Sequence, residues 1–304
     1  MPISLLNLMP IRTVFLAIGA LALLAMTATN GRATAKDLDA AAAHSEVRAV
    51  FGLRDQLRQG ALVRGKVSPG AQVRLNETAL KVSDSGHFVF GFDRDAPGKQ
   101  TLELTELTGK TSSYSFSLPD RTYAEQRVEG IAHKYVAPAP EVLKRIRQEV
   151  TLVANARLIA ISHDAVFSEF EWPTIGPISG VYGSQRWYNG NPSRPHFGVD
   201  VAVPTGTIVK APAAGVVVLA SPDLYYSGGT VIMNHGYDVT SSFLHLSKVL
   251  VEVGQQVEQG DPIAEVGATG RVTGPHLDWR MNWKKARVDP QLLVPDMQTL
   301  LESK

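Results

Sequence analysis

The stretch Arg194-Pro195-His196-Phe197-Gly198-Val199-Asp200-Val201-Ala202-Val203-Pro204 decides how this chain is read. A histidine and an aspartate four residues apart would share one face of a helix. Pro195, Gly198, Pro204 and the β-branched Val199, Val201 and Val203 argue against one. In a straight strand, four steps separate the two side chains by roughly 13 Å, too far to share a metal whose bonds run to about 2 Å. The segment is therefore expected to be extended and bent, with Gly198 permitting the bend. Alone, a His-x-x-x-Asp pair is more simply read as a surface histidine near an acid.

A second cluster, Gly270-Arg271-Val272-Thr273-Gly274-Pro275-His276-Leu277-Asp278-Trp279, reads as a glycine-rich loop entering a strand. Period two puts His276 and Asp278 on one face and Leu277 and Trp279 on the other. One of the pair can then ligate a metal while the other stands beside its water. A third element, Phe243-Leu244-His245-Leu246-Ser247, is a histidine in a strand-like run, which alone reads as a core or edge residue.

Around these clusters the chain is punctuated by Gly and Pro between β-branched runs such as Gly215-Val216-Val217-Val218-Leu219 and Gly229-Thr230-Val231-Ile232-Met233. An all-β domain is expected over 172–295. Upstream, Val73 and Leu75, Phe88, Phe90 and Phe92, Leu102 and Leu104, and Tyr114, Phe116 and Leu118 alternate in short runs separated by turn signals at Ser68-Pro69-Gly70, Ser83-Asp84-Ser85-Gly86 and Pro97-Gly98. That pattern predicts a small immunoglobulin-like β-sandwich over 45–125, a spacer or targeting module without reactive residues. Between the two, a helical connector is expected over 136–170. There Leu143, Ile146, Val150, Val153 and Leu158 recur at helical spacing among charged residues. Its apolar stripe serves either to pack on a neighbouring domain or to gate a groove.

The N-terminus carries Arg12, an apolar run from Thr13 to Met26, and the small-x-small triplet Ala33, Thr34, Ala35. This is the pattern of a secretory signal peptide over 1–35, too short in its apolar run to span a bilayer, so no stable membrane span is expected after cleavage. Export to the periplasm or cell envelope follows. The chain has no cysteine, which excludes disulfides, thiolate ligands and a cysteine nucleophile and leaves His, Asp and Glu as metal ligands. A formal net charge of +1, from 30 basic and 29 acidic residues, offers no footprint for nucleic acid.

Taken together, the three histidine segments resemble the lysostaphin and LytM type zinc metalloendopeptidases, which are peptidoglycan hydrolases. The resemblance runs from about Ile175 to Leu293. It includes HFGVD, Pro204-Thr205-Gly206-Thr207, Val231-Ile232-Met233-Asn234-His235-Gly236, FLHLS, and Gly267-Ala268-Thr269-Gly270 leading to Thr273-Gly274-Pro275-His276-Leu277. It implies a mainly β chain whose C-terminal metallopeptidase domain is of the LytM, duplicated hybrid motif type. It implies further that His196 and Asp200 are zinc ligands, that His245 and His276 are catalytic, and that stem peptides of peptidoglycan are the substrate. His235 lies at a turn without a chemical role in the family.

The family's last ligand is the second histidine of a His-x-His pair, and here that position is Asp278. Three readings follow. Asp278 completes a His196, Asp200, Asp278 triad, since a carboxylate is an accepted zinc ligand. The oxygen-rich set favours a harder divalent ion such as manganese. Or Asp278 misses the metal, leaving an inactive domain that binds and regulates another cell-wall hydrolase. A carbohydrate-binding or structural β protein with incidental histidines is the remaining rival. In an active site the metal would activate a water, one of His245 and His276 would be the general base, and the other would stabilise the oxyanion or protonate the leaving amine.

Overall fold

The computed structural model describes residues 35–136 and 138–303. The expected signal peptide falls on residues 1–34 and Ala35, and all but Ala35 lie outside the described residues. Ala35 opens helix α1 (Ala35–Val50). Among the described residues no helix is long and apolar enough to cross a membrane.

Six strands follow: β1 (Leu62–Lys66), β2 (Gln72–Leu75), β3 (Thr78–Ala79), β4 (His87–Gly91), β5 (Lys99–Thr105) and β6 (Thr111–Ser117). They form two sheets, an antiparallel β1–β4 pair and a four-stranded sheet in the order β3-β2-β5-β6. The alternation read in the sequence has its physical cause in the core between them, where Val63, Val73, Phe88, Phe90, Leu102 and Phe116 are all buried. Strand β1 is buried on both faces. The end of its partner β4 abuts the C-terminal strands: a Cβ on Gly91 would come within 2.8 Å of the Val288 side chain and 2.9 Å of that of Trp283, so glycine there leaves room for both to pack against β4.

The remaining strands are β7 (Glu125–Val128), β8 (Ile178–Gly180), β9 (Gln185–Tyr188), β10 (Asn191–Pro192), β11 (Val199–Val201), β12 (Ile208–Lys210), β13 (Gly215–Leu224), β14 (Gly228–Asn234), β15 (Val239–Val249), β16 (Gln256–Val257), β17 (Pro262–Val266), β18 (Leu277–Trp283) and β19 (Ala286–Val288). A large antiparallel sheet runs β16-β13-β14-β15-β18-β11-β8, with the β12–β17 pair joined through β15. One face carries Val199, Val201, Val231, Met233, Phe243, Leu277, Trp279 and Met281 into the main core. By period two the opposite face carries Asp200, Ile232, Ser242, Leu244, Asp278 and Arg280. Strand β9 lies outside this sheet, between β10 and β7, and pairs in parallel with β7.

Helix α2 (Leu143–Leu158) packs on β13 and β14 on that polar face, with Ala156 and Val153 against Val218, Leu224 and Ile232. Arg157 donates to Ser242 Oγ at 3.1 Å, and Asn234 donates to the Ile159 carbonyl at 2.7 Å, pinning the helix C-terminus. The apolar stripe expected from the sequence needs correction. Val150 and Leu158 are 63% and 77% exposed, while Ala156 is buried and Ile146 and Val153 are half-buried. The residue most deeply packed there is the small Ala156, at a position that a search for large apolar residues passes over.

Candidate metal centre

Strand β11 delivers Asp200 and strand β18 delivers Asp278, directly opposite each other in the antiparallel register. His196 precedes β11 on a loop fastened at both its polar backbone atoms, its N–H donating to the Ser184 carbonyl at 2.9 Å and its own carbonyl accepting from Gly183 at 2.7 Å. One ligand atom from each of His196, Asp200 and Asp278 lies within 4.8 Å of the others, and all three residues are buried. The chain does bend between His196 and Asp200, as the spacing demands. Gly198 matters there for room. A Cβ at Gly198 would come 2.5 Å from Asp278 Oδ1 and 2.6 Å from the Trp279 carbonyl oxygen, the latter being backbone that cannot swing away. Gly198→Ala is therefore expected to destabilise the fold by about 1–3 kcal/mol and to lower bound metal, read by urea denaturation and elemental analysis.

His245 reaches the site by an exception to strand alternation. Phe243 faces the core, so a regular strand would send His245 there too. Instead, His245 has a φ of 67°, at the point where β15 leaves β18 and begins to pair with β17. This left-handed residue turns the ring onto the polar face, a local strain typical of functional positions. Its Nδ1 sits 2.8 Å from the Thr269 carbonyl and its Nε2 3.9 Å from Asp278 Oδ2. His276, at the entrance of β18, repeats the pattern: Nδ1 is 2.9 Å from the Gly274 carbonyl and Nε2 3.9 Å from Asp200 Oδ1. The two rings are 4.9 Å apart. A carbonyl only accepts, so each neutral ring carries its proton on Nδ1 and presents a bare Nε2 to the carboxylates. Burial pulls the His245 pKa down to about 4, which keeps that lone pair free at neutral pH.

The ligand atoms differ in how they are partnered. His196 Nδ1 and Nε2 and Asp200 Oδ1 are buried with no hydrogen-bond partner of acceptable geometry among the described residues, although Nε2 and Oδ1 face each other at 3.0 Å. Buried polar atoms left so are costly, and an ion between them satisfies both. On this test His196 and Asp200 fit a divalent metal. Asp278 is already engaged: Arg280 donates from Nε to Oδ1 at 2.9 Å and from Nη2 to Oδ2 at 2.5 Å. Arg186 likewise holds Asp200 Oδ2. A carboxylate in such a pair keeps further lone pairs, so the Arg280 pair does not by itself remove Asp278 from the group able to hold an ion.

The electrostatics follow these pairs. Burial works to raise the Asp200 carboxyl, but His196 and Arg186 overcome it and hold it well below the ordinary carboxylate range. Burial also opposes the Asp278 carboxylate, and Arg280 with His196 lowers it to about 2. Both acids are therefore ionised and ready to ligate at neutral pH. Arg186 and Arg280 had no place in the reading of the sequence. Arg280 carried a signal, since it stands two residues after Asp278 on the same face. Arg186 carried none, because β9 reaches Asp200 from outside the large sheet.

Comparison with known proteins bears on the same segment. Residues 194–290 match the model for Peptidase family M23. Peptidoglycan DD-endopeptidase ShyA of Vibrio cholerae is 46% identical over 87 residues, 29% of this chain and 20% of ShyA. Murein hydrolase activator NlpD of Salmonella dublin is 29% identical over 238 residues, 76% of this chain and 61% of NlpD. This chain thus spans about a fifth of the first of these relatives and less than two thirds of the second. The crystal structure of a Pseudomonas aeruginosa protein assigned to peptidase M23 superposes with a TM-score of 0.61 at 31% identity, covering 79% of this chain and 95% of that one.

Proposed function

Because this chain belongs to peptidase family M23, we propose that it is an exported, divalent-metal-dependent endopeptidase that hydrolyses peptide cross-links of bacterial peptidoglycan. The observation that carries this reading is the facing pair of buried, unpartnered atoms His196 Nε2 and Asp200 Oδ1, with the bare Nε2 atoms of His245 and His276 turned toward the same carboxylates. His196, Asp200 and Asp278 would hold the ion, zinc or a harder divalent metal such as manganese. When bound, such an ion supplies Lewis acidity toward a peptide carbonyl and lowers the pKa of a coordinated water.

The chain's own residues do the proton work. His245 and His276 both offer acceptor nitrogens, so either can take a proton from the attacking water and pass it to the leaving amine. Neither donates to an oxyanion in its neutral form, because each Nδ1–H is already committed to a backbone carbonyl. Oxyanion stabilisation by one of these rings therefore follows its protonation. The six N-terminal strands serve in this reading as a small sandwich, of immunoglobulin-like type, that spaces or targets the catalytic region in the periplasm or cell envelope.

A second reading, a regulator of another cell-wall hydrolase, is favoured by one observation: both carboxylates of the triad are ion-paired to arginine. Similarity to NlpD over 76% of the chain accords with it. Elemental analysis and sacculus digestion separate the two. The full chain should carry about one divalent ion and release soluble peptide fragments from purified sacculi, and EDTA should abolish release. Metal-free protein that digests nothing yet stimulates a second hydrolase would establish the regulator instead.

A further inference from the structure

A cleft of about 110 Å³ opens beside the triad, lined by Arg186, Tyr188, Tyr226, His245, Arg271 and Arg280, with Asp278 at its wall. Its charges do not cancel. Arg186 is paired with Asp200 and Arg280 with Asp278, whereas the Arg271 guanidinium has no carboxylate or carbonyl partner among the described residues. It is held by stacking, its central carbon 4.6 Å from the ring centroid of Tyr188 and 4.8 Å from that of Tyr226. These contacts hold the guanidinium beside two rings, and its donors make no hydrogen bond to the described residues.

The backbone beneath is equally fixed. Gly270 adopts a φ of 75°, and a Cβ there would come 2.5 Å from the Gly228 nitrogen and 2.6 Å from the Tyr226 carbonyl oxygen. The Arg271 N–H donates to that same Tyr226 carbonyl at 2.8 Å, and Thr269 Oγ1 accepts from the Gly229 N–H at 2.9 Å. Two tight turns, 226–229 and 268–271, are thus locked together, and the arginine between them is presented without freedom to retreat. A half-buried cation so positioned is pre-organised for an oxyanion, since less side-chain order must be gained on binding.

We propose that Arg271 is a specificity residue that binds a free carboxylate of the peptide, next to the bond cleaved at His245. The proposal rests on the endopeptidase reading for its substrate but not for the binding itself. Peptide carboxylate is the chemistry favoured over phosphate because the cleft has one surplus positive charge, matched to a singly charged, planar, two-oxygen group that an arginine fork grips with parallel hydrogen bonds.

The test uses the full chain and a soluble disaccharide-tetrapeptide released from sacculi by a muramidase, in its acid form and with its carboxylates amidated. Calorimetry should show the acid bound at least about tenfold more tightly than the amide. Arg271→Gln should remove that difference while leaving amide binding unchanged, and Arg271→Lys, which keeps the charge without the fork, should restore part of it. Equal binding of acid and amide by the unaltered chain would overturn the proposal. So would equal loss of both ligands in Arg271→Gln, which marks a merely structural arginine, or inorganic phosphate competing as well as the tetrapeptide. If sacculi are not digested but the acid is still preferred through Arg271, only the endopeptidase reading falls. If sacculi are digested without any carboxylate preference, only this proposal does.

Discussion

His196→Ala is expected to lower sacculus digestion by about a hundredfold or more and to strip most of the bound metal, while the protein stays folded. The loss of activity follows from the ligand set, since His196 is the sole imidazole in a triad whose other members are carboxylates shared with arginines. The retained fold follows from burial. Both His196 ring nitrogens lack hydrogen-bond partners, and each such group costs roughly 1–3 kcal/mol in the metal-free protein. Removing them offsets much of the lost ring packing. Asp278→Ala should show the opposite balance. It leaves the three-quarters-buried Arg280 without its carboxylate, which costs on the order of 3–5 kcal/mol. Chemical denaturation beside digestion assays checks both, and His196→Ala protein that digests sacculi at the normal rate would remove His196 from the machinery.

In EDTA, the fold should lose stability steeply as pH falls from about 6.5 to about 4. His235 and His245 are both driven down to about 4 by burial, from an ordinary value of 6.5. The unfolded chain therefore takes up two protons across this window that the folded chain refuses, so stability is full above it and is lost on the way down. At roughly 1.4 kcal/mol per pH unit, each histidine contributes about 3 kcal/mol, a large share of a typical domain's stability. Asp200 and Asp278, held below the ordinary carboxylate range, begin to protonate only at lower pH and do not offset the loss. His235 is wholly buried, with Nδ1 2.7 Å from the Ala214 carbonyl and Nε2 2.8 Å from Ser241 Oγ, and it stands outside the proposed site. His235→Asn should halve the slope. Urea unfolding at a series of pH values measures it, and a flat profile would show that neither ring is neutral in the folded chain.

Much of the fold was legible because alternation has a simple physical cause. In the N-terminal strands and at Leu277, Trp279 and Met281 the apolar side repeats every two residues, whereas strands buried on both faces, such as Gly228–Asn234, were legible only as β-branched runs between Gly and Pro. His276 and Asp278 were legible for the same reason. What escaped is what alternation does not encode. The left-handed backbone at His245 inverts its direction, and a reading by period two would turn it toward the main core instead of the metal-binding face. The arginine pairs depend on strands brought together from distant parts of the chain. Arg186 on β9 meets Asp200 on β11 because Gly180 of β8 leaves room for both: a Cβ there would fall 2.8 Å from Arg186 Nη2 and run into Asp200 Oδ2. Helix α2 shows the same limit, since its one buried residue is an alanine.

The parallel pairing of β7 with β9 bears on where the chain can be cut. Strand β9 carries Arg186, and β7 belongs to the stretch before the helix. Arg121, also from that stretch, holds the buried Asp289 at 2.5 Å, and the Tyr182 hydroxyl donates to the Arg287 carbonyl. The C-terminal segment is thus no interchangeable cassette. Excised at the 172–295 limits expected from the sequence, it would leave an edge of β9 open and the arginine that grips Asp200 on a loose strap; excised at 194–290 it would lose β9 and that arginine outright. Whatever evolved upstream of this domain is part of its frame, and grafting experiments should carry the two together.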